Sequence, residues 1–263
     1  MRTVKHSRTW LTPAIALMMA LAVAAPSQAA SITQLGFVLD GSGSVSTANY
    51  NLLRTGLSNA LNALPVDGSV EISIVAYGSG SSTVTAPTLL TAATLPTIQT
   101  QILNHAKVGG GTDTAGAISA TANLITGSSL FALTNNAIIN LATDGVPNSQ
   151  SAAVAAAQAA FAAGIDALSI EAIGSGVSSA SALNNMAAIA FPTPVTILAV
   201  NSTNIPNPMG GSFVVPVSDF TVFADVIESQ VIASVTPVPE PSLLGLLGLG
   251  FVGRLAMRRR RQA

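Results

Sequence analysis

The chain contains no cysteine. Disulfide frameworks, thiol catalysis and cysteine-bound zinc are therefore excluded. Histidine is nearly absent as well: His6 lies close to the amino terminus, which leaves His105 as the one imidazole of the central region. Charged residues make up only 8% of the chain, against 49% hydrophobic residues. A disordered polyelectrolyte needs the opposite balance. Such a chain can bury a core, and its surface must be covered by Ser, Thr, Asn and Gln.

Basic residues are also missing from the middle. Arg2, Lys5, Arg8, Arg254 and Arg258 to Arg261 lie in the two tails. Between Ala30 and Pro237 only Arg54 and Lys107 stand against ten acidic residues, a net charge of −8. A region of that sign releases no counterions from a phosphate backbone, so nucleic acid is excluded as a partner.

The tails read as addresses rather than fold. Residues 1–29 have the order of a secretory signal: Arg2, Lys5 and Arg8, an apolar run from Ala14 to Ala25, then Pro26 and Ser27-Gln28-Ala29 as a small-residue cleavage site. At the other end, Val238-Pro239-Glu240-Pro241 precedes an apolar stretch from Ser242 to Gly253, and the chain then reaches Arg258 to Arg261. As a helix, Ser242 to Met257 would extend roughly 24 Å at about 1.5 Å per residue, a marginal span for a hydrocarbon core of about 30 Å. The arginines would hold its end on the cytoplasmic side. Residues 238–263 resemble the PEP-CTERM sorting signal, carried by Pro239-Glu240-Pro241, the Gly/Leu-rich segment and the Arg cluster. The resemblance implies processing by an exosortase-type protease. It further implies delivery to the surface or extracellular matrix of a Gram-negative bacterium, with membrane contact through 242–257. Arg254, inside the apolar stretch, departs from that pattern.

Strand and helix signals alternate through the middle. Gln34 to Asp40 reads as a buried strand. Tyr50, Leu53, Leu57, Leu61 and Leu64 form a helical stripe over Thr47 to Leu64, with Ser46 or Thr47 as its cap. Ser69 to Tyr77 reads as a strand, with a weaker one at Thr83 to Leu90 pairing at the sheet edge. Thr94 to Ala106, with Pro96 in the first turn, and Thr114 to Ile125 read as helices. Asn136 to Thr143 is a strand, Ser149 to Ala163 an Ala-rich helix ending at Gly164, Ala167 to Ile173 a strand and Ser179 to Ala190 a helix. Two apolar runs follow, Val195 to Val200 and Phe213 to Val217. Phe220, Phe223, Ile227 and Val231 mark a last helix. The alternation predicts an α/β domain over 32–234, doubly wound around a mostly parallel central sheet flanked by helices. Sites in such sheets form at the carboxyl ends of strands.

Three loops at such ends carry oxygen-bearing side chains. Asp40-Gly41-Ser42-Gly43-Ser44 follows the first strand, Gly110-Gly111-Thr112-Asp113-Thr114 opens a helix, and Thr143-Asp144-Gly145 ends a strand. Their carboxylates and hydroxyls are hard ligands, suited to Mg²⁺, Mn²⁺ or Ca²⁺ rather than zinc or copper. Two carboxylates and three hydroxyls cannot fill six places without water, so a position is left for an incoming ligand.

These loops, in this order and spacing, resemble the metal-ion-dependent adhesion site of von Willebrand factor A domains, with Asp40, Ser42, Ser44, Thr112 and Asp144 on its five ligand positions. The resemblance covers roughly Thr33 to Ser234. It is weakest at 195–211, where an insertion beyond the family's usual last strand is expected. It implies a Rossmann-like fold and one Mg²⁺, with Mn²⁺ or Ca²⁺ as alternatives. It implies that Asp40 acts largely through water and that Ser42 and Ser44 bind directly. It also implies a partner, a protein or matrix polymer, whose carboxylate completes the shell.

The residues around the motif have plainer roles. Asp113 reads as a helix-start charge, Gly116 as a helix-packing residue and Thr143 as support for the strand end. His105 reads as an exposed helix-end residue, and Asp67, Glu71, Asp166 and Asp219 as turn, edge or capping residues. The functional expectation is an exported, non-enzymatic binding or adhesion protein. The alternatives are a structural matrix component with a stabilising metal site, or a metal-assisted hydrolase using Asp113 as base.

Overall fold

In a computed structural model, residues 32–236 are described. The leader and the sorting segment read from the sequence lie outside them. The chain alternates β1 (Ile32–Asp40), α1 (Thr47–Ala60), β2 (Asp67–Tyr77), β3 (Ser81–Thr91), α2 (Leu95–Asn104) and α3 (Thr114–Thr126). It continues with β4 (Thr134–Thr143), α4 (Gln150–Ala162), β5 (Ala167–Ile173), α5 (Ala180–Ala187), β6 (Thr196–Ile197), β7 (Phe213–Val217) and α6 (Phe223–Val235). The seven strands form one sheet in the order β3-β2-β1-β4-β5-β7-β6. Every pairing is parallel except the hairpin of β2 with β3.

Side-chain alternation along the strands divides the core in two. Leu35, Phe37, Ile72, Ile74, Ile138 and Val215 pack with Leu53 and Leu57 of α1, Ile98 and Ile102 of α2, and Phe223 and Val231 of α6. The opposite face joins Val38, Ile139, Leu141 and Ile170 to Ile118 and Ile125 of α3, the alanines of α4 and Met186 of α5. Each of these leucine, isoleucine and phenylalanine side chains, taken out of water, contributes about 2 kcal/mol. Gly36 lets α3 close on β1, since a Cβ there would lie 2.5 Å from Thr121 Cγ2. Four of the six helix starts, α1, α3, α4 and α5, are capped by Ser46, Asp113, Ser149 and Ser179, each accepting a backbone N–H of the first turn.

The alternation read from the sequence therefore yields the expected doubly wound fold, with differences at the far edge. The run Val195 to Val200 supplies a strand of two residues only, β6, which is the outermost strand beside β7. The extra segment lies outside the last strand in the sheet yet precedes it in the chain. Phe220 falls before the last helix, in a turn where Asp219 Oδ1 accepts the Thr221 N–H at 2.8 Å. Helix α1 stops at Ala60, and Leu61–Ala63 tightens into a 3₁₀ turn before Leu64. Among the described residues, no helix is long and apolar enough to cross a membrane.

Strand order reverses between β1 and β4, because the chain winds outward from β1 through β2 and then back from β4 through β5. Crevices at such a switch point, at the carboxyl ends of the strands, are where doubly wound proteins place ligands.

Candidate functional site

Asp40 is the last residue of β1, and Leu39 pairs with Ala142, so Asp40 and Thr143 reach the same rim of the sheet. Asp40 is fully buried. Its Oδ1 accepts the Ser42 N–H at 2.8 Å, and its Oδ2 accepts the Tyr77 hydroxyl at 3.1 Å and the Thr143 hydroxyl at 2.6 Å. Tyr77 ends β2 directly opposite Asp40. Burial, with the Asp40 charge beside it, pushes the Tyr77 phenol well above its ordinary range. The phenol stays protonated and serves as a donor. Thr143 thus does more than support its strand: it holds one oxygen of Asp40.

From Asp40 the backbone turns through Gly41 and Gly43, and this loop is pinned to the glycine-rich one. The Gly41 N–H donates to Tyr77 O, the Gly43 N–H to Gly110 O and the Gly109 N–H to Gly41 O, each at 2.7 Å. Gly109 and Gly110 both have φ of +80°, a conformation in which an L side chain would be strained. The result is a line of hydroxyls. Ser42 Oγ and Ser44 Oγ lie 3.0 Å apart, and Ser44 Oγ donates to Asp144 Oδ1 at 2.6 Å. Ser42 is buried while Ser44 is exposed.

Thr112 is held from outside the motif. Its N–H donates to Asn148 Oδ1, and the Asn148 N–H donates back to Thr112 O, both at 2.9 Å. The absent side chain of Gly145 marks where the loops converge: a Cβ there would sit 3.5 Å from Thr112 Oγ1 and 3.6 Å from Ser44 Oγ. All five residues singled out by the sequence are brought to one rim. Half-buried Asp144 has its carboxyl raised above its usual value, chiefly by burial; the Ser44 hydrogen bond opposes the shift and the Asp40 charge adds to it. Among the described residues no three His, Cys, Asp or Glu side chains gather as a metal group. The oxygen set here depends on hydroxyls.

Of the neighbouring readings, some hold and others change. Asp113 caps α3, its Oδ1 accepting the Gly116 N–H at 3.0 Å. Gly116 clears that carboxylate rather than a facing helix, since a Cβ there would lie 2.4 Å from Asp113 Oδ2. His105 ends α2 but is not a free exposed ring: Nδ1 lies 3.0 Å from the Tyr50 hydroxyl and Nε2 3.0 Å from Ser82 Oγ. Burial and the Arg54 charge lower its pKa. Glu71 is no turn or edge residue; it is buried in β2 and accepts from Gln34 and from Ser128 Oγ. Asp67 and Asp219 do sit in turns, bonded to Ser69 and Thr221, and Asp166 accepts the Ala137 N–H. Tyr77, Asn148 and Lys107 were not singled out by sequence. The register of β1 against β2 could have found Tyr77; Asn148 and Lys107 carry no pattern of their own.

A family model described as the von Willebrand factor type A domain matches residues 34–207, and one for the PEP-CTERM protein-sorting motif matches residues 237–261. No curated protein matches the chain. Among solved structures, proximal thread matrix protein 1 from the mussel byssus is 16% identical with a TM-score of 0.57, over 77% of this chain and 47% of that one. A further structure of that mussel protein has a zinc-occupied MIDAS motif. The pilus adhesin SpaC from Lactobacillus rhamnosus GG is 14% identical with a TM-score of 0.58, over 77% of this chain and 31% of that one. Manganese-loaded Plasmodium vivax TRAP is 18% identical with a TM-score of 0.51, over 78% and 74%. At these identities the likeness is one of fold, and the chain spans under half of the mussel protein and about a third of SpaC.

Proposed function

The chain belongs to the von Willebrand factor type A domain family and carries a PEP-CTERM sorting motif; on that premise we propose that it is an exported binding protein of adhesion type. Asp40, Ser42, Ser44, Thr112 and Asp144 hold one divalent cation, Mg²⁺ first and Mn²⁺ or Ca²⁺ as alternatives. When bound, the cation supplies a positive charge with a coordination place for a carboxylate on a partner protein or matrix polymer. The observation that carries this reading is the hydroxyl line from Ser42 through Ser44 to Asp144, with Thr112 facing the same side-chain-free notch at Gly145. Such an all-oxygen set fits a hard cation. Asp40, with both oxygens engaged by Ser42, Tyr77 and Thr143, orients the loop more than it reaches outward.

Residues 1–29 would be removed on export and 238–263 would direct exosortase-type processing, leaving residues 32–234 at the cell surface or in the matrix. We read the site as binding rather than catalytic. His105, the one imidazole available as a base, is engaged on both ring nitrogens, and Asp113 is committed to capping. The pilus adhesin SpaC, the mussel protein with its zinc-occupied MIDAS motif and manganese-loaded TRAP support the reading by analogy of fold.

The test is a Mg²⁺ and Mn²⁺ titration of the purified protein by calorimetry, alongside capture of extracellular matrix material with and without chelator. Wild type should bind one equivalent and lose capture in chelator. Ser44→Ala and Asp144→Ala should lose both. Capture that is identical in metal, in chelator and in both variants would refute the assignment.

A further inference from the structure

The two basic side chains of the described region have different surroundings. Arg54 packs α1 against the end of α2: its guanidinium donates to the Leu103 and His105 carbonyls and to Asn51, and lies 5.3 Å from the centre of the Tyr50 ring. Lys107 instead reaches the loop of the candidate site. Its Nζ donates to Ser42 O at 2.6 Å and to Gly41 O at 3.3 Å. Two residues on, the Gly109 N–H fastens the same segment to Gly41 O at 2.7 Å.

This placement is costly for a site that only captures cations. A fixed positive charge beside a divalent ion repels it. Between Ala30 and Pro237 acidic residues outnumber basic ones ten to two, so a basic residue at this loop does not follow from the composition. The charge balance points to the benefit. The carboxylates of Asp40 and Asp144 together neutralise a divalent cation, and a neutral loaded site in an acidic protein has little attraction for an anion. With Lys107 the loaded site is net positive.

Resting on the cation-binding reading above, we propose that Lys107 is a specificity-determining residue of this site. Its charge loosens the hold on the metal and makes the loaded site select an acidic, carboxylate-bearing partner. The carbonyl bonds keep the ammonium beside the site instead of letting it swing into water, so the effect is built into the loop.

Lys107→Met and Lys107→Gln remove the charge, the second keeping a hydrogen-bond donor, and Lys107→Arg keeps it. Mn²⁺ alone is titrated into each protein by calorimetry. Capture on a poly-L-glutamate surface is then measured at saturating Mn²⁺ over a range of salt. Both neutral variants should bind Mn²⁺ roughly three- to tenfold more tightly than wild type. They should be captured roughly three- to tenfold less, with a flatter salt dependence, and the Arg variant should follow wild type in both. Neutral variants that bind Mn²⁺ equally or more weakly would make Lys107 a mere strut for the loop and overturn the proposal. Tighter metal binding with unchanged capture would overturn its selectivity half. A wild-type protein that does not respond to Mn²⁺ would remove the cation-binding reading itself, a failure distinct from the other two.

Discussion

Among the described residues two carboxylates, Asp40 and Glu171, are wholly withdrawn from water, and their surroundings are opposite. Asp40, at the end of β1, accepts three hydrogen bonds, from Ser42, Tyr77 and Thr143. Glu171, in the middle of β5, is as deeply buried and neither of its oxygens has a partner. It faces the sheet surface covered by α6, near Asn140 of β4 and Gln230 of α6, which bond to each other while Asn140 Nδ2 and Gln230 Oε1 remain unpaired. A buried carboxylate surrounded by donors has its oxygens satisfied and fixes its neighbours. One without donors is held in its neutral form by the cost of desolvation, and burial accordingly pushes the Glu171 carboxyl well above the usual range. Burial by itself therefore does not mark a site; the donors around the buried group do.

The comparison is broken most directly by removing Asp40. In Asp40→Ala the Ser42 N–H and the Tyr77 and Thr143 hydroxyls lose their shared acceptor. At about 1 kcal/mol for each lost bond, the fold should weaken by about 3 kcal/mol in urea denaturation. The cation response should vanish with it. Loss of metal binding at unchanged stability would mean that the three bonds to Asp40 contribute nothing to the fold.

Glu171→Gln should act in the reverse direction. The folded-state pKa of Glu171 lies above its unfolded value of about 4.3. Below that value the group is neutral in both states and the fold is not penalised. Above it the unfolded chain ionises and the folded one does not, so wild-type stability is lost as pH rises toward the raised folded value. The variant should be more stable than wild type at pH 7, by about 1 to 3 kcal/mol, with the advantage shrinking toward pH 4 in thermal melts. An advantage independent of pH would show that Glu171 finds donors in solution and that its contrast with Asp40 is not real.

What was legible in the sequence follows the same division. The strand ends and glycine-spaced oxygens around Asp40, Thr112 and Asp144 lie in short local patterns, because a turn that gathers ligands must be written in consecutive residues. The parallel core was legible for a related reason: β-branched runs and helical stripes repeat at fixed periods. Partners contributed from a distance were not legible. Tyr77 meets Asp40 only through strand register, and Lys107 meets Ser42 only through the path of a loop. Glu71 shows the same blindness: its buried bonds to Gln34 and Ser128 come from residues 37 and 57 positions away. The apolar run Val195 to Val200 left its structure open, and only its pairing with β7 defines the two-residue β6 within it.

Asn148 offers the smallest test. Asp40 owes its position to donors on two neighbouring strands, whereas Thr112 is on a loop whose flanking Gly111 and Asp113 N–H groups donate to Ser79 Oγ and Gly78 O, and is itself held by one reciprocal pair of bonds with Asn148. Only one of these, from the Thr112 N–H to Asn148 Oδ1, uses the side chain; the other is backbone to backbone and survives substitution. Asn148→Ala should therefore cost about 1 kcal/mol or less of stability, because both residues are near water that can replace the lost acceptor. It should weaken Mn²⁺ binding severalfold, since Thr112 would be released to more than one orientation and the ordering cost would fall on cation binding. A stability loss as large as that of Asp40→Ala would mean that the glycine-rich loop is part of the rigid core. Unaltered Mn²⁺ affinity would mean that Thr112 is fixed without Asn148, by the pinning of the loop at Gly109, Gly110, Gly111 and Asp113.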